Sequence, residues 1–296
     1  MVTNSAEAQY AALSHCWGKK PFGTTKRNNL AEHCKRIDFD KLTKTFQEAI
    51  IVTQSLGIRY LWIDSLCIVQ DDEDDWRRES VKMGRVYKDA VITIAASGAR
   101  DGSEGCFMER NSSQETIAIP YTAQGASTPI QGEFVYVALF PDQEICSIDQ
   151  APLGERAWIT QEWMLSPRIV HFTQARMIWV CKTVIEAEDG EPAARSDEQW
   201  LLPRVRAYYD AKFTTKAQKT DSFEDARQFF ADWCSLVATY TSRKLTRDSD
   251  KPIAIQGLAT EISDLVGDRY TAGIFHRGES NSYQPLRCLA GNLLMY

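Results

Sequence analysis

Tyr60-Leu61-Trp62-Ile63-Asp64-Ser65-Leu66-Cys67-Ile68-Val69-Gln70 is an apolar run set between two stretches of helical pattern. It is too short for another amphipathic helix and reads as a buried strand whose C-terminal end carries the polar residues Asp64 and Ser65. Upstream, Thr45-Phe46-Gln47-Glu48 has the form of a capping box. Phe46, Ala49, Ile50, Thr53 and Leu56 then share one helical face, and Gly57 stops the helix. Downstream, Asp71 to Asp75 suit a helix N-terminus, and Trp76, Met83, Tyr87 and Ala90 recur at helical spacing. Tyr10 to Cys16 and Val91 to Ser97 are two further apolar runs of strand length. Strand, helix, strand, helix, strand in this order predicts an α/β fold with a parallel sheet built from right-handed crossovers and flanked by helices. In such sheets ligands bind beyond the carboxyl ends of the strands, and Ser14, Asp64 and Ser97 stand at those ends.

The remainder divides by pattern. Gly98 to Asp149 is rich in glycine around short β-like runs such as Phe134 to Phe140, and reads as a β-rich insertion, a hairpin. Glu155 to Leu165 has the length of a short helix stopped by Pro167, and Arg168 to Thr173 and Met177 to Thr183 look like strands that continue the sheet. The composition shifts after Val184: Glu186 to Glu198 is acidic, holds Gly190 and Pro192, and reads as a solvated loop. Phe223, Ala226, Phe230, Trp233, Val237 and Tyr240 then mark an amphipathic helix, and Ile253 to Val266 a second one ended by Gly267. The expected organisation is an α/β domain over 1–183, then a linker and a helical region over 184–296 packed on the core.

The chain has 296 residues, 44% hydrophobic and 25% charged, with a formal net charge of −6. Basic residues are interspersed among acidic ones, which leaves no electrostatic footprint for nucleic acid. No run approaches the length of a membrane span, and the first ten residues lack the pattern of a signal peptide, so a cytoplasmic location is expected. Eight cysteines occur without a C-x-x-C pair, and Cys67, Cys181 and Cys234 lie in apolar runs as reduced core cysteines do. No metal site is expected: the acidic run at Asp71 lacks the glycine and ligand periodicity of a calcium loop. A thiol nucleophile at Cys16 has no marked partner in His171 or His33. His15 and Cys16 are neighbours on a strand and point to opposite faces.

Three blocks stand out because each sets a Trp beside a polar group inside an apolar run: Leu13-Ser14-His15-Cys16-Trp17-Gly18, the run from Tyr60 to Gln70, and Arg156-Ala157-Trp158-Ile159-Thr160-Gln161-Glu162. Burial alone asks for Val, Ile and Leu there, so Ser14, Asp64 and Glu162 point to a shared site. With Trp76, Met83 and Tyr87 after the second block, Gly105-Cys106-Phe107, and Leu165-Ser166 and Arg168 after the third, this ordered series resembles the fungal heterokaryon incompatibility (HET) domain. The resemblance covers about residues 10 to 183. It implies a role in programmed cell death after fusion of incompatible cells.

The order of elements also resembles a TIR domain, which implies a TIR-like, flavodoxin-like α/β sheet. Enzymatic TIR domains use a Glu four residues after a helical Trp to cleave NAD+, and Trp158 and Glu162 have that spacing, although the stretch from Gly98 to Glu155 is longer than the corresponding TIR connection. What this implies is a catalytic Glu162 and NAD+ as substrate, with no bound cofactor. Breaking the nicotinamide-ribose bond releases a neutral group from a cationic ring, so the chemistry asks for a carboxylate beside the developing oxocarbenium ion rather than for a general acid. By side-chain type, Trp17 or Trp158 would stack on a ring, Arg156 would face the pyrophosphate, and Ser14 and Asp64 would bind the ribose or orient Glu162. The alternative is a non-catalytic death-signalling module that acts by self-association or by binding partner incompatibility proteins. Each residue also has a purely structural reading, as a core Trp, a capping Asp or a salt-bridged Glu.

Overall fold

The computed structural model describes residues 8–18, 23–109, 116–120, 134–138, 148–181, 183–188, 190, 223–266, 269–271 and 274–276. The chain divides into two compact units, Met1–Met108 with Ser147–Tyr296, and the insertion Glu109–Cys146. In the larger unit the strands β1 (Tyr10–Ser14), β2 (Tyr60–Trp62) and β3 (Ile92–Ala95) form a sheet with β6 (Arg168–Phe172), β7 (Met177–Cys181) and β8 (Ile185–Ala187), in the order β2-β1-β3-β6-β7-β8. The pairs β1 with β2, β1 with β3 and β3 with β6 are parallel, and β7 and β8 add antiparallel at one edge. The expected α/β sheet, flavodoxin-like and flanked by helices, is therefore present. In the insertion, β4 (Thr116–Pro120) pairs antiparallel with β5 (Phe134–Ala138), the expected hairpin.

The helices are α1 (Leu30–His33), α2 (Lys44–Ser55), α3 (Asp64–Cys67), α4 (Glu73–Ser80), α5 (Met83–Asp89), α6 (Ile159–Leu165), α7 (Phe223–Ser242) and α8 (Lys251–Val266). Several differ from the sequence reading in instructive ways. The strand expected over Tyr60 to Val69 ends at Trp62, and Asp64 to Cys67 turn into one helical turn. That turn is local: Cys67 and Ile68 bond back to Ile63 and Asp64. The α2 cap is Thr43, whose hydroxyl accepts from the Phe46 amide, and not Thr45. Thr45 instead bonds to the carbonyl of Asp101 and accepts from Gly105, while Glu48 turns to the amides of Cys106 and Phe107 at 2.5 and 2.7 Å.

Asp72 caps α4 as a helix start should, accepting from Asp74 and Asp75, but the expected single helix breaks into α4 and α5. Ile185 to Ala187 belong to the sheet rather than to a loop; residues 191–198 of that loop lie outside the described residues. The C-terminal region is helical as expected, with an additional short pair, β9 (Arg269–Thr271) and β10 (Ile274–His276). Cys67 is exposed and Cys181 and Cys234 are half-buried, so among the described residues the core thiols are those of Cys16 and Cys106.

Strand alternation decides what meets the two faces of the sheet. Ala11, Leu13, Ile92, Ile94 and Phe172 point to the α2 side, where they pack with Phe46 and Ala49. Ala12 points the other way, to Met83, Tyr87 and Ala90 of the α5 region. On that same second face, Ala95 and Ile169 pack with Ile159 and Trp163 of α6. The far side of α6 is covered in turn: Ala157 and Leu165 share a buried cluster with Trp233, Leu236 and Tyr240 of α7 and Ala254, Leu258 and Ile262 of α8. Helix α6 thus lies between the sheet and the C-terminal helix pair, and all but one of its seven residues are buried.

Candidate functional site

Because Ser14 follows Ala12 in the two-residue period, its side chain emerges on the α6 face at the C-terminal end of β1. There it meets the carboxyl of Glu162 in the first turn of α6, with Ser14 Oγ donating to Glu162 Oε2 at 2.5 Å. Ser14 is fully buried and Glu162 is 1% exposed. A carboxylate so placed needs partners, and it has them. Arg156, in the segment that enters α6, and Asp64, at the start of α3, are both close enough to act on it electrostatically, and the Tyr87 hydroxyl also supports the carboxyl.

Burial pushes the Glu162 pKa up; Arg156, Ser14 and Tyr87 oppose that rise, and Asp64 adds to it. For Arg156, burial works against the charge, but Glu162 and Asp64 outweigh it and hold the guanidinium firmly protonated. Arg156 also donates to the carbonyl oxygen of His15. The Asp64 carboxylate accepts from Trp17 Nε1 at 2.9 Å and from its neighbouring Ser65 amide at 2.6 Å, and lies 3.8 Å from His15 Nδ1.

Five of the six residues singled out from sequence therefore form one connected cluster: Ser14, Trp17, Asp64, Arg156 and Glu162. Trp158 does not join it. Its indole packs in the apolar cluster with Met83 and Tyr87, and its carbonyl accepts from the Glu162 amide at 3.3 Å, so it sets the first turn of α6 from the backbone.

Residues missed by sequence reasoning complete the arrangement. Tyr87 was legible as a helical position and as part of the HET resemblance, but not as a site residue; its hydroxyl donates to the Leu13 carbonyl at 3.0 Å, and burial beside Glu162 raises its pKa well above that of an ordinary phenol. The C-terminal region pins the segment carrying Arg156. The Ala157 amide bonds to the Lys244 carbonyl, the Lys244 amide to the Glu155 carbonyl, and Arg243 bonds to Thr160. No sequence spacing reports such pairings, because the partners are about ninety positions apart.

The Cys16 thiol is a poor nucleophile in this setting. Burial pushes its pKa up to about 11, and it packs among Ile159, Trp163 and Leu153. His171 bonds Ser97 Oγ through Nδ1 at 2.9 Å, His33 bonds Thr25, and neither contact involves the thiol. Among the described residues no cluster of His, Cys, Asp and Glu has the form of a metal site.

An open cleft of about 840 Å³ lies at the C-terminal end of β1. Its lining combines the buried or half-buried His15, Cys16, Trp17 and Ser65 with the exposed Lys44 and Arg100. Glu162 is buried and is not among the residues that line the cleft.

The heterokaryon incompatibility protein (HET) family model matches residues 10–162, more than half of the chain. The chain belongs to this family. The HET match runs from the first residue of β1 to Glu162, so it contains all of Ser14, Trp17, Asp64, Arg156 and Glu162 but not the C-terminal helices that hold α6. No curated protein and no solved structure gives a significant match. The Gly105-Cys106-Phe107 element of the HET resemblance has a structural account: Gly105 adopts φ +87°, which aims the next two amides at Glu48, and a Cβ at that position would collide with the Glu48 carboxylate. Among the described residues no helix is long and apolar enough to cross a membrane.

Proposed function

We propose that this HET protein is an effector of fungal incompatibility and cell death that acts by hydrolysing NAD+ at the nicotinamide-ribose bond, with Glu162 as its catalytic carboxylate. The reading is carried by one observation: a buried Glu whose pKa is raised, bonded to Ser14 and flanked by Arg156 and Asp64, at the carboxyl end of a parallel sheet. The resemblance of the Trp158 and Glu162 spacing to that of enzymatic TIR domains supports the same assignment.

In the reaction the C1′–N bond breaks and its electron pair neutralises the nicotinamide ring. Water then bonds to C1′ and releases a proton, giving ADP-ribose. A carboxylate is suited to stabilise the positive charge at C1′ and to take the proton of the attacking water. Burial strengthens that electrostatic term. Arg156 would offset the negative charge of the site, and Trp17 offers a ring beside the cleft.

The test is incubation of the purified full chain, as monomer and as any assembled form, with NAD+ while nicotinamide and ADP-ribose are followed. Glu162→Gln should remove the products and the toxicity while folding and self-association persist. An assembled form that leaves NAD+ intact overturns the reading.

The 1% exposure of Glu162 favours a second reading, in which the cluster is structural and the domain signals by self-association or by binding partner proteins. In that case Glu162→Gln is silent in a cell-death assay, and surface substitutions that block assembly are not.

A further inference from the structure

Two residues that line the cleft at the end of β1, His15 and Ser65, carry buried polar atoms without partners. Ser65 is 2% exposed and His15 3%, and neither Ser65 Oγ nor His15 Nδ1 has a hydrogen-bond partner. Asp64 Oδ1 is too distant from Nδ1, at 3.8 Å, to serve as one. Buried polar atoms in native structures are almost always satisfied, so two on residues that line one cleft point to a ligand that supplies their partners.

The exposed residues of the lining have the opposite character. Lys41, Lys44 and Arg100 are among them, and the lining holds a single carboxylate, Asp101. The Asp101 carboxylate is already occupied by the amide and hydroxyl of Ser103. Lys41 pairs with Asp38 at 3.1 Å and Lys44 with Glu48 at 3.8 Å, whereas Arg100 is exposed and has no ion pair among the described residues. The amides of Thr45 and Phe46 at the α2 N-terminus are taken by Gly102 and Thr43, so the charge facing the cleft comes from side chains. The lining also includes the apolar side chains of Trp17, Leu42 and Phe46.

We propose that this cleft binds a nucleoside diphosphate group, its phosphates held by Arg100 with Lys41 and Lys44, and its hydroxyl-bearing part reaching Ser65 Oγ and His15 Nδ1. Arginine suits the phosphate because its planar donors match two phosphate oxygens at once. The cleft volume lies within the range of about 300 to 1,000 Å³ that suits small-molecule sites. Inorganic phosphate would use the basic residues alone and leave the two buried atoms unsatisfied. The identity of the substrate rests on the NAD+ reading above; the phosphate subsite rests on the cleft.

The test is calorimetric titration of the wild-type full chain with ADP, which lacks the scissile bond, and with inorganic phosphate. Saturable ADP binding, stronger than that of phosphate and weakened about tenfold or more by Arg100→Ala and by Ser65→Ala, is the expected result. Melting temperatures of both variants without ligand should match the wild type, since Arg100 is exposed and Ser65→Ala removes an unbonded hydroxyl. Absence of saturable ADP binding, equal affinity in the Arg100→Ala variant, or phosphate binding as tightly as ADP overturns the proposal. Nicotinamide release without ADP binding removes the subsite and leaves the NAD+ reading; ADP binding with no nicotinamide release in any assembled form does the reverse.

Discussion

The hydroxyl of Ser14 donates to the carboxyl of Glu162 at 2.5 Å, across 148 positions of the chain. This bond joins the last residue of β1 to the first turn of α6, within electrostatic reach of Arg156 and Asp64. It makes the protonation of Glu162 the property most sensitive to its neighbours.

Ser14→Ala removes a donor that favours the charged form, so the Glu162 pKa, already raised by burial, should rise further. Infrared titration of the buried carboxyl band should show its deprotonation moved to higher pH than in wild type. Any nicotinamide release should shift its acid limb the same way. The lost bond should cost about 1–3 kcal/mol of stability in denaturant unfolding. An unmoved carboxyl band would show that Ser14 does not act on Glu162.

Arg156→Met leaves two buried carboxyl groups without their cation. A loss of about 3–5 kcal/mol is expected in chemical denaturation, as for other broken buried ion pairs. The double variant Arg156→Met with Glu162→Gln should recover part of that loss, because it removes one stranded carboxylate. Equal stability of the single and double variants would show that the two residues are not coupled.

Acid should destabilise the protein through two buried histidines. Burial lowers the pKa of His15 to about 4 and that of His171 to about 3, both from an ordinary 6.5. A depressed folded-state pKa means that the unfolded chain takes the proton first. The stability from each neutral ring is complete above pH 6.5 and is lost as pH falls toward 4 and 3. Each contributes a slope of about 1.4 kcal/mol per pH unit within its window. Glu162 has the opposite sign: its raised pKa adds stability at low pH that disappears as pH rises through the folded value. Melting temperatures of wild type and His171→Gln between pH 7 and 4 should show a shallower decline in the variant; parallel curves would count against this account of His171.

Gly105→Ala places an L residue at φ +87° and drives its Cβ into the Glu48 carboxylate. The backbone strain alone is worth about 1–2 kcal/mol. The measured loss should exceed that, because the bonds from Cys106 and Phe107 to Glu48 are disturbed as well. Thr43→Ala should cost about 1 kcal/mol as the loss of a helix cap. Thermal unfolding of the two variants checks both values.

Leu258→Ala tests whether the C-terminal helix pair belongs to the same cooperative unit as the sheet. Leu258 is fully buried against α6, and its truncation should cost about 2–5 kcal/mol. One transition should remain, followed equally by far-ultraviolet circular dichroism and by tryptophan fluorescence. Two separated transitions would mean that the helix pair unfolds by itself.

Much of the fold was legible in the sequence because period carries it. The parallel sheet, the α2 stop at Gly57, the Asp72 region as a helix start and the β4–β5 hairpin all follow from local alternation, capping chemistry and glycine. The errors are equally local in cause. Thr43 and Thr45 are both capping residue types near the same helix start, and only the packing of the 101–107 loop assigns Thr45 and Glu48 to that loop. The turn at Asp64 ends β2 early because its backbone bonds close on Ile63 and Asp64, a choice an apolar run of that length leaves open between strand and buried helix.

For the site, the sequence by itself determined which residue types were out of place: Ser14, Asp64 and Glu162 are polar in runs otherwise built for burial, and burying them without partners is too costly to be accidental. Tertiary structure alone decided who partners whom. Strand alternation turns Ser14 toward α6 and His15 toward Phe46, Trp158 is drawn into apolar packing, and Tyr87 and the Lys244 segment arrive from elsewhere in the chain. Those pairings depend on side-chain direction and on contacts between distant segments, and neither quantity is written in the local order of residues.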